Sequence, residues 1–195
     1  MPSRVTIMNR ALRRVNAPQI ASPDESSASA RQCSMAWGDT LEGVLADHEW
    51  SHAVRWMTLA KLATPPPFGF RWAYRLPTEC QRLIDVRATP DLRLPAARHE
   101  LVGREVYTDA SPCLARVVVL HDTPEEWPSH FCTAFVVRLA SEIAPTLAQS
   151  ADMGIKLYRE YLQVLDTSRL TDVSQSNPEP EDEAGACDFL KARRK

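Results

Sequence analysis

Phe131, Phe135, Leu139, Ile143 and Leu147 recur at every fourth residue, and no other feature restricts the fold of this chain as much. Apolar side chains at that period line one side of an α-helix, and that side must be covered by something else. Met153, Leu157, Tyr161 and Leu165 repeat the pattern after Ser150, which predicts two helices, the first with Pro145 near its end. Core packing, not a cofactor site, is the expected use of both stripes. Earlier in the chain, Ser3 can cap a helix reaching about Asn16, with Val5, Met8, Leu12 and Val15 on one face and Ala17-Pro18 ending it. Ser22-Pro23-Asp24-Glu25 then has the form of a helix start. Ser22 would be the cap, Pro23 the first helical residue, and Glu25 the carboxylate that reaches back. That helix is expected to run to about Asp47 through Ala28, Met35, Leu41 and Leu45. A third helical stretch is expected from Ser51 to Leu62, carrying Val54, Met57 and Leu62 and stopping before Pro65-Pro66-Pro67.

The period then shortens to two. Phe70, Trp72, Tyr74 and Leu76 alternate with Arg71, Ala73 and Arg75 across residues 68–77, the pattern of a half-buried strand. Leu83, Ile84 and Val86 suggest another strand. His99 to Tyr107 and Leu114 to Leu120 suggest two more, separated by the turn-rich Asp109-Ala110-Ser111-Pro112. The expected fold is mainly α with a β insertion: a helical bundle, a small antiparallel β module and an extended C-terminal arm. Its divisions are N-terminal helices in residues 1–67, a β-rich insertion in 68–122, C-terminal helices in 123–170 and the arm in 171–195. Residues 171–183 are polar and acidic with two prolines and almost nothing to bury. Phe189-Leu190 is an apolar island, and the chain ends Lys191-Ala192-Arg193-Arg194-Lys195. Such a composition is expected to order only on a partner.

Charge and composition narrow the function classes. A net charge of −2 gives no global basic field to hold nucleic acid or a membrane surface. Residues 1–16 lack the apolar stretch and small-residue cleavage site of a secretory leader. The longest apolar run, Val117-Val118-Val119-Leu120, is far shorter than the roughly 20 residues that cross a bilayer. Cys33, Cys80, Cys113, Cys132 and Cys187 are scattered with no CxxC pair, so reduced buried thiols are expected. No G-x-S-x-G elbow, Walker phosphate loop or dinucleotide turn occurs, and no cofactor is expected. The basic cluster Arg10, Arg13 and Arg14 reads as a solvated face; the terminal one could meet phosphates or an acidic protein groove. Neither has aromatic residues interleaved for base stacking.

One segment spells out an enzyme motif. His48-Glu49-Trp50-Ser51-His52 fits H-E-x-x-H, in which two histidines one helical turn apart grip zinc and the glutamate activates a bound water. A third protein ligand is lacking. The extended pattern would need Gly and His where Arg55 and Thr58 stand, and Glu79 lies beyond the prolines in a non-helical setting. The same letters also suit ordinary, partly exposed histidines flanking a buried Trp50.

The order of motifs carries more than any one of them. Ile7-Met8-Asn9-Arg10-Ala11-Leu12 with Val15-Asn16-Ala17 follows the form I-x-N-x-A-L-x-x-I-G-A, and Ile20 to Cys33 follows I-x-S-x-x-E-x-S-x-x-A-x-x-C. Residues 47–63 fall on L-x-x-H-P-W-x-F-A-x-x-R-x-x-L-A. There His48, Trp50, Ala53, Leu59 and Ala60 match, Glu49 replaces the proline and His52 the phenylalanine. Trp72 to Arg82 meets Y-x-Y-x-L-P-x-D-C-L-R through Tyr74, Leu76, Pro77, Cys80 and Arg82. Phe131, Ala134, Arg138-Leu139-Ala140, Ile143-Ala144 and Leu147 meet F-x-x-A-x-x-x-R-L-A-x-x-I-A-x-x-L. In this succession, over residues 4–165, the chain resembles the tail tubular protein A family, the head-to-tail adaptor (connector) proteins of short-tailed bacteriophages.

The resemblance implies a non-enzymatic virion protein, assembled in the host cytoplasm and located at the head–tail junction. Its partners would be further copies of itself in a twelve-fold ring, the portal protein above and the tail tube or nozzle below, with no membrane involved. Packaged DNA would pass through the lumen without sequence-specific binding. Phe189, Leu190, Lys191, Arg193 and Arg194 would form the portal-binding arm, with Phe189-Leu190 as anchor and the basic end giving charge complementarity. Trp50, Trp72, Tyr74, Leu76, Pro77, Arg82 and Arg138 would be structural, and His52 would take the place of a packing aromatic. The competing expectations are a zinc hydrolase using His48, Glu49 and His52, acting on the cell wall, and a helical interaction module unrelated to phage.

Overall fold

A computed structural model describes residues 2–175. The arm residues Phe189, Leu190, Lys191, Arg193 and Arg194, together with Cys187, lie outside the described residues. Among those described are four helices and two antiparallel sheets. The helices are α1 (Arg4–Arg14), α2 (Ala28–Asp47), α3 (Ser129–Leu147) and α4 (Ala151–Gln175). The strands are β1 (Val54–Thr58), β2 (Ala60–Lys61), β3 (Trp72–Arg75), β4 (Cys80–Arg87), β5 (His99–Val102), β6 (Glu105–Thr108) and β7 (Leu114–Val119). One sheet runs β1-β7-β4 and the other β2-β3-β6-β5.

Helix α3 is the axis of the bundle. Phe131, Phe135, Leu139 and Ile143 are all buried, and α1, α2 and α4 each pack along it. Ser3 caps α1 as expected, its Oγ accepting from the Thr6 amide at 3.3 Å. The other end of α1 closes in a left-handed turn. Asn16 has φ 54°, its amide donates to the Arg13 carbonyl, and Ala17 donates to Leu12. The resembled pattern has glycine there, and asparagine is the other residue that tolerates this conformation. Asn9 pins the next loop with two 2.8 Å hydrogen bonds, from its Nδ2 to the Ile20 carbonyl and to its Oδ1 from the Ile20 amide.

Three expectations are corrected. First, α2 begins after Ser27, whose Oγ accepts from Ala30 at 3.1 Å, and not at Ser22-Pro23. The Glu25 carboxylate does reach back, to the Ala21 amide at 2.8 Å, but it closes a turn ahead of the helix. Hydrogen bonds from Ser27 first, and from Ala21, hold that exposed carboxyl below its ordinary pKa. Within α2, Cys33, Trp37, Leu41 and Leu45 face the core, whereas Met35 is 74% exposed.

Second, residues 51–62 are not helical. A single 3-10 turn (Ser51–Ala53) leads into β1, which pairs antiparallel with β7 from Val54↔Val118 to Thr58↔Leu114. Val54 and Met57 are three apart, so a strand points them to opposite faces. Val54 leans on the helical core and Met57 on the core between the sheets. A spacing that mimics a helix is therefore what a strand needs when both its faces are covered. The N-terminal division at residue 67 accordingly contains the first strands. The stretch 99–107 is likewise two strands, turning at Gly103, where φ is 60°.

Third, the change at residue 171 does not end the last helix, which continues to Gln175.

Strand β7 joins the two cores. Val118 packs into the helical core and Val117 into the core between the sheets, both fully buried, so Val117-Val118-Val119 is a central strand covered on both sides. Helices α3 and α4 approach each other closely at Gly154. Pro145 has no N–H for the Ser141 carbonyl, and a Cβ added at Gly154 would lie 3.1 Å from that oxygen and 3.3 Å from the proline ring. Gly154→Val is expected to destabilise by about 1–3 kcal/mol, the range for overpacking, despite valine's better helix propensity. A denaturant midpoint equal to that of the unmodified protein would contradict this close approach.

Candidate interaction surfaces

The zinc pattern loses its geometry at its first residue. Helix α2 stops at Asp47, and His48 is extended at φ −149°, ψ 160°. His52 sits beyond, in the 3-10 turn, so the two histidines do not share a helical face. Between them Trp50 turns inward and is completely buried, its indole Nε1 donating to the Val44 carbonyl at 2.7 Å. Both imidazoles join the aromatic packing: His48 is edge-on to Trp50 at 5.0 Å, and His52 lies 4.5 Å from Phe131 and 5.7 Å from His121. Among the described residues, no group of three or more His, Cys, Asp or Glu side chains is placed to hold a metal ion. Glu79 stands in the turn before β4, its carbonyl accepting from Leu120. His52→Phe is expected to leave the protein folded, with an unchanged circular dichroism spectrum, because the ring at this position stands edge-on to Phe131 at 4.5 Å. Stoichiometric zinc in the unmodified protein, lost in this variant, would restore the enzymatic reading.

The other motif residues are placed as follows. Tyr74 is buried and donates to the Ala110 carbonyl at 2.9 Å, and Leu76 is buried beside it in the core between the sheets. Trp72 packs partly buried against the same core, with the Lys61 ammonium 2.9 Å from its ring centroid. The Pro77 carbonyl accepts from the Cys80 amide and from the Arg104 guanidinium. Arg82 reaches back to the Ala46 carbonyl at 3.4 Å, and Arg169 of α4 donates to the Asp47 carbonyl at 2.8 Å. Helix α2 has no basic residue in its own last turn, so two arginines distant in sequence meet the negative end of its dipole. Tyr161 donates to the Asp47 carboxylate at 2.6 Å; burial first, then that carboxylate, raises its phenol pKa.

Cys33, Cys80, Cys113 and Cys132 are all buried free thiols. Burial pushes Cys33 and Cys113 up to about 11. Burial raises Cys80 and Cys132 as well, so all four thiols are disfavoured as thiolates, and all four residues are buried. The four should resist alkylation until the protein unfolds; rapid native-state labelling at Cys33 or Cys113 would contradict the packing.

Arg138 stands at the surface with a different setting. It donates to the Glu142 carboxylate and, at 3.2 Å, to Ser141 Oγ, while its guanidinium lies 4.9 Å from the Tyr158 ring centroid. It forms one wall of an open groove of about 690 Å³ between α3 and α4, with Pro145, Ile155, Tyr158 and Leu162. Ile155 is 52%, Tyr158 42% and Leu162 44% exposed. These three, at i, i+3 and i+7, form a second apolar line on α4 beside the stripe Leu157, Tyr161 and Leu165 that meets α3. That line was readable from spacing, but the stronger buried stripe masks it. On the sheet side, Trp56, Leu92 and Leu94 are exposed as well. Among the described residues, no helix is long and apolar enough to cross a membrane. No protein-family model matches the chain, and no curated protein matches it significantly.

Proposed function

We propose that this chain is a head-to-tail adaptor of a short-tailed bacteriophage, a structural virion protein that closes into a ring between portal and tail. One observation carries the proposal: the motif side chains are engaged in packing and in capping helix ends, while apolar side chains line an open groove outside. Trp50, Tyr74, Leu76, Phe131 and Leu139 are buried, whereas Ile155, Tyr158 and Leu162 are left uncovered. Side chains arranged in this way build a rigid block that works through its surfaces. In this reading the finer architecture is a helical bundle that carries the β module to one end and a C-terminal arm to the portal. Copies follow one another head to tail around the ring, each offering two different faces. The near-neutral charge suits a lumen through which DNA must slide without being gripped. The function is assembly and sealing rather than catalysis. Light scattering of the purified chain with and without portal rings of the phage that encodes it tests this: a mass gain of several chains per portal is expected. Monomers indifferent to portal would refute it.

A further inference from the structure

A ring of identical subunits needs two unlike faces that fit each other. Resting on the adaptor reading, we propose that the subunit contact joins the α3/α4 groove of one copy to the outer face of α2 on the next. The groove supplies the apolar line of Ile155, Tyr158 and Leu162. Arg159 on its lining adds positive charge, and Lys156 lies beside the groove on the exposed side of α4. Neither makes an ion pair among the described residues, whereas Arg138 is engaged by Glu142 and Arg14 is held by Glu160 at 2.6 Å. Asp152, in the first turn of α4, makes no ion pair with Lys156.

The outer face of α2 is complementary. Met35, Asp39 and Glu42 fall on one line of the helix surface, all exposed, and neither carboxylate has an ion pair among the described residues. Asp39 and Glu42 are three residues apart, as are Lys156 and Arg159, so one helix lying across another can satisfy both charges together. Met35 is a flexible apolar side chain suited to an irregular groove. Beside it, Gly38 is exposed in mid-helix, and a Cβ there would meet nothing within 4 Å. A glycine in such a position costs about 1 kcal/mol relative to alanine. No neighbour within the chain requires it, but a second backbone approaching closely would. Helices α2 and α4 both pack on α3 and are linked at Asp47, which accepts from Tyr161. A contact of this size is weak alone, and closure of the ring strengthens it because every copy is held twice.

Charge reversal tests the pairing on the 195-residue chain by sedimentation velocity, alone and with the portal ring. D39K/E42K and K156E/R159E change exposed side chains, and circular dichroism should show both folded. Each variant alone is expected to lose self-assembly, with association weakened on the order of a hundredfold or more by like charges. An equimolar mixture should recover it: the untouched groove of one takes the untouched α2 of the other, and the two reversed faces pair in the same way. Wild-type assembly with either variant assembling equally well, or with no recovery on mixing, would overturn this contact and leave the ring reading standing. A wild-type chain that stays monomeric under both conditions would overturn both.

Discussion

Trp50→Ala should cost about 3–5 kcal/mol of stability, the range for deleting a fully buried large aromatic. The indole is completely buried, 4.9 Å from Phe131, and its Nε1 donates to the Val44 carbonyl in the last turns of α2. Alanine would leave a cavity beside α3 and withdraw a donor from a buried carbonyl, and both effects act in the same direction. For a domain of this size the thermal midpoint should fall by roughly 6–20 °C. Trp50→Phe should retain much of the packing and lose mainly the hydrogen bond, about 1–3 kcal/mol. A loss below about 1 kcal/mol for the alanine variant would mean that the segment 48–52 is not part of the core.

Removal of residues 176–195 is expected to abolish portal attachment while leaving the thermal midpoint and helical spectrum of the remaining chain intact. The segment contains Phe189-Leu190 and the basic end, the only residues of the tail with an apolar anchor and concentrated positive charge. An apolar anchor and a cluster of charges on one segment can make several contacts with a partner, so its loss removes them together. Comparing pull-down on portal rings with thermal unfolding separates the two effects. Normal docking by the truncated chain would place portal recognition on residues 1–175. Reversing the terminal charges alone, at Lys191, Arg193, Arg194 and Lys195, should weaken docking and lower its salt sensitivity.

Much of the helical architecture was legible because long stripes have a single physical solution. Phe131 to Leu147 and Met153 to Leu165 could only be helices, and both are. Alternation across residues 68–77 located β3 only in part: the strand spans Trp72–Arg75, and Ala73, on the side expected to be open, is buried. What misled was local. Ser22-Pro23-Asp24-Glu25 has the chemistry of a helix start and uses it to close a turn, because Ser27 offers a second cap nearer the first core residue, Ala30. Val54 and Met57 have helical spacing because they serve two cores on opposite faces of a strand. Sequence spacing cannot distinguish one wide apolar face from two narrow ones.

The candidate surfaces were less legible for a related reason. Hydrophobic periodicity marks what is buried, whereas Ile155, Leu162 and Met35 are apolar residues left outside. Met35 was named with Leu41 and Leu45 along α2, yet those two are buried and Met35 is exposed. The arginine caps on α2 span 36 and 122 residues of chain, a separation at which no local pattern exists. The zinc motif shows the opposite failure. Its letters are complete, but the backbone leaves the helix at His48 before they can converge.

Electron microscopy of the 195-residue chain mixed with the portal ring that the adaptor reading assigns to it tests the central claim most directly. The adaptor account predicts a rotationally symmetric collar added to one end of the portal, with neighbouring copies touching through α2 and the α3/α4 groove. A bare portal, or single copies scattered without symmetry, would contradict it.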